Sequence, residues 1–358
     1  REYAQEQLTQ GGDGPQMHRR HADHFLGLAE RAAAELSGER QLLSLDQLNR
    51  EHANLRAALS WFRETGDPER KGLRMARALW RFWWLRSYST EGRAQLAALL
   101  KLAGDAAPAP LRTQSLHGLG MLALRQGDTV EARDCLRSAF TVAEQADDRL
   151  DMAVALTGLG RLALDEGQVE EAHAYLERSL TLEREVLQGA GLGLTLTYLG
   201  WAAMFSGDHA KAHELLDEGL ARFREVGDRD GEGRVLWSLG HLALECHELD
   251  RSRSFFLQAF RIDAELNYNH GLAIVLEGLA DLAAAERSYE RACRLAGSAA
   301  ALRQAAGMVA PVEFKRRHER SIGAARAALD PDVAEARWFE GWNLSPDDIL
   351  AEELAAAD

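Results

Sequence analysis

Apolar residues recur along this chain with two superimposed periods. At short range, leucines and alanines stand three and four apart, as in Leu116, Leu119 and Ala123, which places them on one face of an α-helix. At longer range the same pattern returns every 40 residues. Leu116, Leu156, Leu196, Leu236 and Leu276 open successive copies, and Leu119, Leu159, Leu199, Leu239 and Leu279 follow three positions later. Next come Gly120, Gly160, Gly200, Gly240 and, in the last copy, Ala280; Ala123, Ala163, Ala203, Ala243 and Ala283 hold the phase. Five copies in phase without an insertion define a repeat solenoid.

Each copy reads as two helices. Gly127, Gly167 and Gly207 end the first one, and His247 and Arg287 take that place in the later copies. An Asp after the glycine, as at Asp128, suits the cap of the next helix. A second apolar stripe follows at Ala132, Leu136, Ala139 and Phe140. Glycine inside a helix costs about 1 kcal/mol relative to alanine, so four helical glycines imply that two helix axes must approach closely. This arrangement resembles the tetratricopeptide repeat: Leu156, Leu159-Gly160, Gly167, Ala172, Leu176 and Ser179 match that motif in order. Ala123, Ala163, Ala203 and Ala243 stand where the family has an aromatic. The unit also exceeds the usual length of about 34 residues, and a longer second helix is expected to absorb the excess. The resemblance covers roughly residues 112–297 and implies an all-α fold, a right-handed α-solenoid of helix hairpins.

The flanks extend this picture. Residues 1–14 read as a junction helix ending in the Gly11-Gly12-Asp13-Gly14-Pro15 break, and residues 15–68 as a helical extension with helices over 17–36 and 41–64. The solenoid spans 69–297, beginning with a degenerate repeat at 69–105 whose Trp80, Trp83 and Gly92 stand 40 residues before Gly120, Ala123 and Ala132. Residues 298–358 read as a helical cap on its open end. Arg1-Glu2-Tyr3-Ala4, His21-Ala22 with Phe25, the run from Glu51 to Leu59, the run from Ala78 to Arg86, and Trp338, Gly341 and Leu344-Ser345 are similar to landmarks of a narrower family. These are the C-terminal regions of bacterial signal-transduction ATPases with numerous domains, including LuxR- and AfsR-like regulators. That resemblance implies a nucleotide-binding domain and a winged helix upstream of Arg1, which is not an initiator Met. No GxxxxGK[ST] phosphate loop occurs here, so the family's ATPase chemistry is not carried onto these residues.

Charge narrows the partners. Residues 1–105 carry 16 basic and 14 acidic groups, and the remainder 26 basic and 42 acidic, so the net charge of −14 lies in the repeats. Such a body repels phosphate backbones, which argues against direct nucleic-acid binding. No apolar run approaches the length of about 18 residues needed to cross a bilayer. Three cysteines without a CxxC pair suit a reducing cytoplasm. Composition gives no positive support for catalysis, a metal or a cofactor. His18, His21 and His24 diverge around a helix, and His241, Glu245, Cys246 and His247 straddle a turn. Gly189, Gly191 and Gly193 lack the preceding strand of a nucleotide loop, and Asp147, Asp148 and Asp151 read as a solvated turn opening a helix.

The repeat register selects a more informative surface. Taking the first helix of each hairpin as the lining of a concave groove, the inward positions are Arg74, Arg77, Arg81 and Trp84; His117, Met121 and Arg125; Thr157, Arg161 and Asp165; Thr197, Trp201 and Phe205; Arg234, Trp237, His241 and Glu245; and Glu277 and Asp281. This strip is arginine-rich at its start, aromatic in the middle and acidic at its end. Trp and Arg are enriched at binding hot spots. The expected ligand is a protein, a peptide or a small effector, with an anionic part near Arg77 and Arg81. Two functions fit: a sensor module that switches the upstream ATPase, or a free-standing adaptor scaffold.

Overall fold

The computed structural model describes residues 14–186, 192–306 and 311–355. The junction helix and most of the Gly11–Pro15 break lie outside these residues, as do Gly189 and Gly191. Among the described residues the chain is helical throughout, with eighteen α-helices and a short 3-10 turn at 104–106. The N-terminal helices are α1 (Gly14–Glu35), α2 (Gln41–Arg50) and α3 (His52–Glu64), followed by the hairpin α4 (Lys71–Leu85) and α5 (Ser89–Ala103). The helix expected over 41–64 is broken at Glu51 into α2 and α3.

Five regular hairpins follow: α6 (Ala109–Arg125) with α7 (Thr129–Gln145), α8 (Arg149–Asp165) with α9 (Val169–Val186), α10 (Leu192–Phe205) with α11 (His209–Val226), α12 (Arg229–Glu245) with α13 (Leu249–Glu265), and α14 (Asn269–Ala285) with α15 (Tyr289–Ala306). Both α6 and α7 have 17 residues, so the extra length is shared by the two helices rather than absorbed by the second. The first helices stack directly on one another, α6 on α8, α8 on α10, α10 on α12 and α12 on α14, which makes them the inner layer of an α-solenoid.

Local chemistry accounts for the unit. Asp128, Asp148, Asp208 and Asp228 each accept a hydrogen bond from a backbone N–H in the next helix's first turn. Gly127, Gly167 and Gly207 adopt φ of 78°, 76° and 79°, the left-handed conformation that ends the first helix. His247 and Arg287 adopt it too, at 59° and 61°. A β-carbon at Gly160 would lie 2.5 Å from Leu176, so glycine there sets the close crossing within the hairpin.

The chain ends in α16 (Val312–Ala327), α17 (Pro331–Trp342) and α18 (Pro346–Ala355). α17 packs on α15 and α18 on α13. α16 does something different: besides α14 and α15 it touches α8, reaching back along the concave face.

Candidate functional site: a chamber in the concave face

The solenoid curls tightly enough for its beginning to touch its fourth regular hairpin. Arg81 in α4 donates to Asp228 just ahead of α12, at 2.7 and 2.8 Å, and lies 3.4 Å from Asp230. Gln41 also donates to Asp228, at 3.1 Å. Arg86 donates to the Leu266 carbonyl, and Arg125 to the Tyr268 hydroxyl at 2.9 Å. These contacts join residues more than 140 positions apart.

Between the joined parts lies a cavity of about 360 Å³. Its aromatic wall is Trp80, Trp84, Tyr198 and Phe223, with Met121 beside them; its polar wall is Arg77, Arg81, Gln114, His117, Asp151, Thr157, Asp228, Asp230 and Arg234. Gln114 bridges Arg77 and Asp151, accepting from the first and donating to the second, each at 3.2 Å. Arg234 donates to Asp230 at 3.0 Å and to the Tyr198 hydroxyl at 2.9 Å. Burial pushes His117 down to about 4, so its imidazole is neutral, and burial also raises the Asp151 carboxyl. Arg77 Nε, His117 Nδ1 and Asp151 Oδ2 are buried beside the cavity without a hydrogen-bond partner from the protein.

This geometry changes several expectations. Arg81 is held by two carboxylates, and three arginines face three aspartates, so the chamber is not a simple anion site. Asp151 is buried at 4 % exposure, not solvated, because α8 turns its first residues inward. Arg74 faces α1, where it pairs with Glu30 at 2.7 Å. Arg125 is buried, stacked 4.3 Å over Trp84. Thr197 is buried, donating to the Gly193 carbonyl and facing Gly219 of α11 rather than the groove. Arg161 pairs with Asp165 at 2.7 Å and lies 4.9 Å over the Trp201 ring. Thr157 lines the chamber while its hydroxyl bonds Ser179 and Thr195.

The middle and end of the strip are covered. Phe314 of α16 stands 5.2 Å from Trp201, 4.4 Å from Trp237, 4.9 Å from His241 and 5.1 Å from Phe205. Trp201, Trp237 and His241 are therefore buried beneath the chain's own helix, not presented in an open groove. Trp80, Tyr198, Asp228 and Asp230 are chamber residues that the register did not select. Asp228 is legible in sequence as a helix cap, but its pairing with Arg81 depends on how far the solenoid curls in one turn. Among the described residues, no His, Cys, Asp and Glu cluster is placed to hold a metal. Glu245 is engaged instead by His209 and Arg317.

Comparison with known proteins agrees with this architecture. Residues 111–185 match the tetratricopeptide repeat family. Tetratricopeptide repeats are what this stretch contains. Such repeats are non-catalytic interaction scaffolds. The chain is 34 % identical over 93 residues to proteins of Mycobacterium tuberculosis and Mycobacterium bovis named as HTH-type transcriptional regulators. That match covers 26 % of this chain and 10 % of theirs, so the chain spans a small part of the relatives it matches. In three dimensions it is similar to a signal transduction ATPase with numerous domains from Pyrococcus horikoshii that carries a tetratricopeptide repeat sensor. There the TM-score is 0.55 at 15 % identity, over 85 % of this chain and 45 % of that one. It is also similar to a Rap protein complexed with competence and sporulation factor, with a TM-score of 0.57 at 14 % identity over 92 % and 98 % of the two chains. At these identities the likeness is one of fold. Among the described residues no helix is long and apolar enough to cross a membrane.

Proposed function

We propose that this chain is the non-catalytic sensor region of a bacterial, cytoplasmic signal-transduction ATPase that controls transcription, and that a small effector in the chamber is its signal. One observation carries the reading: the chamber's walls include both α4 and α12, parts of the solenoid held together by Arg81 and Asp228. A molecule touching both walls favours the closed curl over an open one. That differential affinity is what a ligand needs to shift a conformational equilibrium. A volume of about 360 Å³ falls within the range of small-molecule sites, about 300–1,000 Å³. The upstream ATPase and winged helix that would receive the signal follow from the resemblance in the flanks, and the mycobacterial relatives support the transcriptional role.

A free-standing adaptor would instead offer an open concave face to a peptide, and α16 covers the middle of that face. The test is native mass spectrometry of the chain purified from its source cells. A bound small molecule should accompany the wild type and be absent from Met121→Trp, which fills the chamber. Identical spectra for the two folded proteins would sink the proposal.

A further inference from the structure

α16 stacks on α14 and α15 and from there lays one face against the concave side of the solenoid. Phe314 enters a box formed by Trp201, Phe205, Trp237 and His241. Arg317, three residues on, lies 5.4 Å over the Phe205 ring and pairs with Glu245. His318, four residues on, meets Asp281 at 2.8 Å. Positions three and four apart share one face of a helix, so the groove reads an aromatic followed by two basic groups. The receptor side is complementary in both respects, aromatic beneath Phe314 and acidic beneath Arg317 and His318.

The helix is lightly anchored. Of its 16 residues only Phe314, Ile322 and Ala325 are buried, whereas α12 buries twelve of 17. Lys315, Arg316, Glu319 and Arg320 are exposed. Segments with few buried apolar contacts open at a lower free energy than the body they rest on.

We propose that the box around Trp201 and Trp237 is a binding site for an amphipathic helix of a partner protein, and that α16 holds it in cis until displaced. The partner's chemistry is that of α16: an aromatic side chain with basic groups three and four residues later. A tethered occupant competes at an effective concentration in the millimolar range, so the site in the resting chain binds weakly and release strengthens it. Such a site lies beyond the effector chamber and does not depend on it.

The test uses the full chain and a fluorescent peptide with the sequence of residues 311–327. Phe314→Asp frees the box, and fluorescence anisotropy should then show peptide binding at least about tenfold tighter than to the wild type, since apparent affinity scales with the competent fraction. A peptide carrying Phe314→Ala should lose that binding. Equal affinity for the wild type and a folded Phe314→Asp chain would overturn the proposal. So would a released chain that dimerises without taking peptide, which would assign the box to a second copy. Hydrogen exchange on the wild type gives an independent reading: α16 amides should exchange well before those of α12, and equal protection of the two would refute a displaceable helix.

Discussion

The two halves of the concave face are built from one repeated register and end in opposite states. Positions 81, 121, 161, 201, 241 and 281 hold Arg81, Met121, Arg161, Trp201, His241 and Asp281. The first two line an accessible chamber, whereas the last three are covered by α16 through Phe314 and His318. The repeat decides which side chains face inward. What lies over them is decided by long-range curvature at one end and by the chain's return at the other. The repeat register therefore defines a surface but leaves open what covers it.

The largest effect that would break this contrast is at the clasp. Arg81→Ala removes the cross-turn cation from buried Asp228, which keeps only the neutral Gln41 across the turn, and leaves Asp230 with Arg234 alone. Removing one member of a buried ion pair costs about 3–5 kcal/mol. Because solenoids do not unfold as one unit, the loss should be read locally, by hydrogen exchange at the start of α12. That region should lose protection strongly while α16 changes little. An equal loss in α16 would mean that the two halves are one cooperative structure.

How far the sequence reached follows from the same contrast. The hairpins, their caps and the turn at Gly127 rest on neighbours a few residues apart, and periodicity exposes such neighbours. Gly160 is legible because its close approach to Leu176 recurs as Gly120 with Leu136, Gly200 with Leu216 and Gly240 with Phe256. The partnership of Arg81 with Asp228 is not, since curvature accumulates over four hairpins from small rotations that no motif spells out. Nor is the place of α16. Its polar outer face and sparse apolar residues suit a terminal cap as well as a groove helix, and only Phe314 marks the difference. Thr197 shares its repeat register with His117 and Thr157, which line the chamber, but its short side chain turns back to bond the Gly193 carbonyl. It faces Gly219 instead, an orientation that register alone does not decide.

A pH titration should separate the halves with a smaller effect. Burial opposes the charge on His318, but the hydrogen bond and charge of Asp281 outweigh it, and its pKa stands above the ordinary 6.5. A raised folded pKa gives stability that is complete below 6.5 and is lost as pH rises through the folded value. Burial, with Arg317 and His318, pushes His241 down to about 3, and burial pushes His117 down to about 4. Depressed values act the other way: their contribution is present above 6.5 and fades as pH falls below it. Rising pH should thus loosen α16 through His318, whereas acid should weaken both α16 and the chamber wall at α6 through His241 and His117. Protection factors corrected for intrinsic exchange would show this, and His318→Gln should abolish only the alkaline limb. An alkaline response persisting in that variant would assign it to another group.

The smallest effect concerns the turns. Gly127, Gly167 and Gly207 supply the left-handed residue in the earlier repeats, but His247 and Arg287 must adopt it with a β-carbon. That conformation costs an L-residue about 1–2 kcal/mol. Glycine would remove the cost while adding about 0.4–1 kcal/mol of chain entropy to lose on folding. The balance predicts that His247→Gly stabilises α12 and α13 by up to about 1.6 kcal/mol, and that Gly207→Ala destabilises α10 and α11 by a similar amount, both measurable as shifts in local exchange. The signs matter more than the sizes. Opposite signs would mean that the turns at His247 and Arg287 carry stored strain that those at Gly127, Gly167 and Gly207 lack, a strain shared by Ser87 at φ 59° in the first hairpin. A loss of stability in His247→Gly would instead mean that the imidazole holds the turn, and the two halves would then differ in what covers them but not in how they are made.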